Sequence, residues 1–77
     1  MNKEQYRLSL PSIKAVFEAN KNRTLGEKIS LAAVASNVPL IIVCFFYKEL
    51  YGDSEELKNL AERIIKFYRY DMSYENG

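Results

Sequence analysis

Apolar positions in this chain recur at three- and four-residue spacing. No stretch shows the strict alternation of a half-buried strand, so the pattern predicts an all-α fold. A first helix is expected from "SLPS" onward, with Ser9 or Leu10 at its cap and Pro11 in the first turn, where a missing N–H costs nothing. Its inner stripe is Leu10, Ile13, Val16 and Phe17. "NKN" at 20–22 ends it through the left-handed conformation that asparagine tolerates. Residues 2–8 add a short helical turn ahead of it.

The sharpest start signal is "TLGE", which sets Thr24 as N-cap and Glu27 at the third helical position, a reciprocal capping box. The second helix then runs from Leu25 to Ser36, with Ile29, Ala32 and Ala33 as a narrow inner face. Asn37 takes the left-handed turn, and Pro39 falls in the first turn of a third helix spanning 39–51, which Gly52 closes. "DSEE" opens a fourth helix with Asp53 or Ser54 as cap; its stripe is Leu57, Leu60, Ala61, Ile64, Ile65, Tyr68 and Met72. Residues 73–77 are expected to fray. The reading is one domain over 1–77, a compact bundle of four to five short helices with a helix-turn-helix-like corner around residues 25–51.

Length and charge narrow the function. A chain of 77 residues buries only about 60% of its unfolded surface, so each large apolar side chain matters to stability. Net charge is +1 but uneven: six basic against three acidic residues give +3 over 1–38, and five against seven give −2 beyond it. A strongly basic nucleic-acid footprint is therefore absent. There is no histidine, and the one cysteine, Cys44, lies between Val43 and Phe45, which rules out the usual general bases and nucleophile pairs. The carboxylates are scattered as caps and solvated faces, and the glycines at 26, 52 and 77 stand too far apart to cradle a phosphate. No catalytic residue, cofactor or metal is expected, and the chain does not read as an enzyme. A lone cysteine fits a reducing, cytoplasmic setting, and "MNKEQYRLSLPSIK" has no apolar run of the secretory kind.

Ala33 supplies the small residue needed where two helices touch, Asn37 follows four positions later, and Val38, Val43 and Phe46 are the next inward positions. Over residues 29–48 this resembles the helix-turn-helix superfamily, with Asn37 where a glycine is usual. The resemblance implies a DNA-binding regulator whose third helix enters the major groove. The outward positions at that helix start are Leu40, Ile41, Cys44 and Phe45, which have almost nothing to offer base edges. DNA binding is therefore the alternative reading. A second surface for nucleic acid would be Asn59, Arg63, Lys66 and Arg69 along the fourth helix, diluted by Glu55, Glu56 and Glu62.

The third helix is apolar nearly all round, and three readings follow: it is the buried centre of the bundle, it offers a surface to another chain, or it belongs to a membrane segment. The last rests on residues 29–47, 19 positions without a charge, and is opposed by Asn37 and Pro39 in its middle. Among six tyrosines and four phenylalanines, Phe67, Tyr70 and Tyr74 fall off the inner stripe of the fourth helix, while Tyr6 and Tyr51 sit near helix ends. The leading expectation is a non-enzymatic regulatory or inhibitory protein that binds another protein, or a second copy of itself. The contact residues would be Leu40, Ile41, Cys44, Phe45, Tyr51, Phe67 and Tyr70.

Overall fold

A computed structural model describes residues 3–76, with side chains as far as Phe67. The chain is an all-α bundle: a 3-10 segment at Lys3–Ser9, then α1 (Leu10–Ala19), α2 (Leu25–Ser36), α3 (Leu40–Tyr51) and α4 (Glu55–Asn76). The expectations for Tyr68, Arg69, Tyr70, Met72, Tyr74 and the 73–77 tail fall outside the described side chains.

Local chemistry sets the boundaries. At the start of α2 both halves of the capping box form: the Glu27 backbone N–H donates to Thr24 Oγ1 at 3.2 Å, and the Thr24 N–H donates to Glu27 Oε1 at 3.4 Å. The Thr24 hydroxyl, the Thr24 N–H and then Arg23 hold the Glu27 carboxyl below its ordinary range. A depressed folded value means that this contribution is present above the unfolded value and disappears as pH falls through the folded one. Thr24→Ala is expected to cost about 1 kcal/mol at neutral pH. In chemical denaturation that cost should shrink in acid, where Glu27 is protonated and half of the box is already lost.

Asn37 ends α2 at φ 53° and ψ 48°, in the left-handed region. Its N–H donates to Val34 O at 3.4 Å, and the Val38 N–H reaches back to Ala33 O at 3.0 Å, the paired pattern that satisfies the last carbonyls of a helix. Asn20 behaves differently from expectation. At φ −119° it is not left-handed; instead its side-chain Nδ2 donates to Val16 O at 2.8 Å, so the amide, and not the backbone angle, terminates α1. Pro39 also sits one position earlier than expected, as the N-cap of α3, where its carbonyl accepts from the Ile42 and Val43 N–H groups. Ser54 caps α4, its Oγ accepting from the Leu57 N–H at 3.1 Å, and Asp53 supports Ser54 from behind.

One core joins all four helices. Ile13 and Phe17 from α1, Leu25, Ile29, Ala32 and Ala33 from α2, Ile41, Ile42, Val43, Cys44 and Phe46 from α3, and Leu57 and Ile64 from α4 are buried around Val38. Helix α3 packs on α1, α2, α4 and the 3-10 segment, the surroundings that a helix apolar on every side requires. The inner stripe of α4 is shorter than its sequence suggests: Ile65, expected inside, is exposed, and Ile64 is the last buried position among the described side chains.

Candidate protein-contact surface

Packing divides the residues that the sequence nominated for partner contact. Ile41 and Cys44, expected to point outward, are buried, because the neighbouring elements close around the first half of α3. They are core residues. Leu40 is half-buried, while Phe45, Tyr51 and Phe67 remain on the surface at 41%, 46% and 75% exposure. Of the nucleic-acid set, Asn59, Arg63 and Lys66 are exposed on α4.

Cys44 carries a consequence of its own. Burial in apolar surroundings pushes its thiol up to about 11, away from the thiolate form that reacts. Ellman's reagent at pH 8 is expected to leave it unmodified in the folded chain and to titrate it fully in denaturant.

Around Phe45 the surface is charged. Lys48 and Glu49 lie one turn further along α3; Lys48 approaches Asp53 at 3.9 Å, and Glu49 takes Arg7 at 3.2 Å and Lys3 at 3.7 Å. Tyr51 is less available than its exposure implies. Its ring packs near Phe17 and Tyr47, with centroids at 6.0 Å and 4.9 Å, and its hydroxyl donates to Glu18 Oε1 at 3.0 Å. Partial desolvation, followed by the Glu18 carboxylate, raises the phenol above its ordinary value. Tyr51 therefore belongs to an aromatic corner between α1 and α3, with Lys28 over the Tyr47 ring at 5.8 Å.

Helix α4 offers a more open surface. Leu25 and Gly26 at the start of α2, with Glu56, Asn59, Leu60 and Arg63 of α4, line an open groove of about 280 Å³. On a helix, positions 56, 60, 63 and 67 fall in one row, so Phe67 follows Arg63 one turn beyond the groove lining. Asn59 and Arg63, nominated for nucleic acid, thus border an apolar floor made by Leu25 and Leu60. Sequence reasoning missed the groove because it joins two helices distant along the chain.

It also missed Leu8 and Val34, exposed at 96% and 82%. For Val34 a signal exists: it and Leu31 lie opposite the Ile29, Ala32 and Ala33 stripe of α2.

The α2–α3 corner turns the chain by 115°, within the range of helix-turn-helix units. The burial of residues 41–44 leaves Phe45 and part of Leu40 accessible at the start of α3, side chains with no donor or acceptor for base edges. The uncharged segment 29–47 is split by the same turn, and among the described residues no single helix is long and apolar enough to cross a membrane. No three metal-ligating side chains converge among the described residues. Comparison of the chain with protein-family models, curated proteins and solved structures gave no match.

Proposed function

We propose that this chain is a non-enzymatic binding protein that acts in a regulatory or inhibitory role by docking another protein on the α2–α4 groove and Phe67. The observation that carries the reading is Phe67 itself: a phenylalanine three-quarters exposed, in row with Leu60 and Arg63 beside a groove with an apolar floor. Aromatic and arginine side chains are the commonest hot spots of protein interfaces, because one residue buries a large area at small entropic cost. Phe45 on α3 is a second exposed ring, flanked by the Glu49 ion pairs.

The experiment is capture of binding partners on the immobilised chain across a salt series. Protein contact centred on the Phe67 ring, Leu25 and Leu60 is expected to weaken only modestly from low to high salt. Retention that falls steeply with salt and tracks phosphate contacts would point to nucleic acid and overturn the proposal. A second copy of the chain is one partner this surface would accept, and sedimentation across a concentration series reads that case directly.

A further inference from the structure

The N-terminal segment Lys3–Ser9 stays in 3-10 geometry for seven residues, although such runs seldom exceed three or four. Pro11 explains the limit. In an α-helix continuing backward from α1, its nitrogen would face the Arg7 carbonyl, with no N–H to donate and a ring that collides with that oxygen. The segment therefore joins α1 through Ser9, at φ −84° and ψ −7°, with no hydrogen bond from Pro11 to tie it to the α-helix.

What holds it to the bundle is mostly charge. No residue of the segment is fully buried, Tyr6 is the one ring packed partly against the core, and Leu8 stands in solvent. Arg7 pairs with Glu4 at 3.0 Å and Glu49 at 3.2 Å, and Lys3 reaches Glu49 at 3.7 Å. The Arg7 guanidinium also lies over the Phe46 ring, 5.4 Å from its centroid, and Phe46 has no exposed surface. Exposed ion pairs are individually weak and are screened by salt, so a segment held chiefly by them opens at far lower cost than the bundle unfolds.

We propose that the 3-10 segment is a strap that pivots at the Ser9–Pro11 junction, latched by Glu49, and that opening it bares the face of Phe46 that Arg7 covers while the rest of the ring stays in the core. The closed strap keeps that face of Phe46 off the surface of α3, and salt or loss of the Glu49 charge releases it. This inference is independent of the α4 groove and stands or falls without it.

Hydrogen exchange on the intact chain tests it, with global stability measured in parallel by chemical denaturation. Glu49→Gln is expected to speed exchange at residues 4–9 by about threefold to tenfold, with little change in the denaturation midpoint. Arg7→Gln, which removes the cation from the Phe46 ring, should do the same. Raising salt should reproduce the effect in the wild type and add little to Glu49→Gln. Unchanged exchange at 4–9 in both variants would overturn the strap. So would acceleration spread evenly over the helices with a matching fall in midpoint, because the segment would then be part of the cooperative core.

Discussion

Phe46→Ala is expected to leave the chain at or beyond the edge of unfolding. Phe46 is wholly buried on α3, shares one core with Ile13, Ile42 and Val43, and carries the Arg7 guanidinium on its face. Removing such a ring costs about 3–5 kcal/mol, the lost transfer energy plus the cavity left behind. A domain of this length has a total of roughly 4–12 kcal/mol to lose. Thermal or urea unfolding followed by circular dichroism reads the result. Phe46→Leu, which keeps much of the volume, should retain a cooperative transition at a lower midpoint. An alanine variant as stable as the wild type would mean that α3 is not the centre of the bundle.

Replacement of Phe67 by serine, with Arg63→Ala, should have the opposite profile: folding intact and binding lost. Phe67 is mostly exposed and Arg63 lies on the outer wall of α4, so neither supports the core, and surface changes of this kind stay within about 0.5 kcal/mol of neutral. At an interface, truncating a central ring and its neighbouring arginine removes about 2 kcal/mol or more, which is roughly thirtyfold in affinity. Isothermal titration of a captured partner against wild type and double variant would show the difference. Equal affinity, with unfolding curves superimposed, would move the contact surface elsewhere.

Where one residue decides its own geometry, the sequence was a reliable guide. Thr24 and Glu27, Asn37, Gly52 and Ser54 each carry their turn or cap in their side-chain or backbone chemistry, and each sits where that chemistry requires. Asn20 was misjudged because asparagine can end a helix in two ways, by angle or by amide, and composition does not choose between them. Faces were harder still. Ile41 and Cys44 look outward on a helical projection of α3 alone, but their burial depends on how closely the other elements pack around that helix. Ile65 reads as inner by spacing and is exposed because it lies at the flank of the α4 stripe. The groove required knowing that Leu25 and Leu60 meet, a tertiary fact that no local pattern contains. Phe67 was legible because it lies at the edge of the Leu57, Leu60 and Ile64 stripe, on the Leu60 side, and not at its centre.

The helix-turn-helix corner shows how far a local resemblance extends. Its turn geometry is present at 115°, yet residues 41–44 of the helix that should read bases are enclosed by their own domain. Sequence similarity at the turn reports how two helices meet; what the second helix touches is decided by the rest of the chain.

The most direct test of protein docking on α4 is side-by-side capture from a nuclease-treated lysate with wild-type chain and Phe67→Ser. The expected result is a protein held by the wild type despite nuclease and released by the serine variant, with both chains equally folded. Retention that nuclease abolishes, or that Phe67→Ser leaves unchanged, would contradict it.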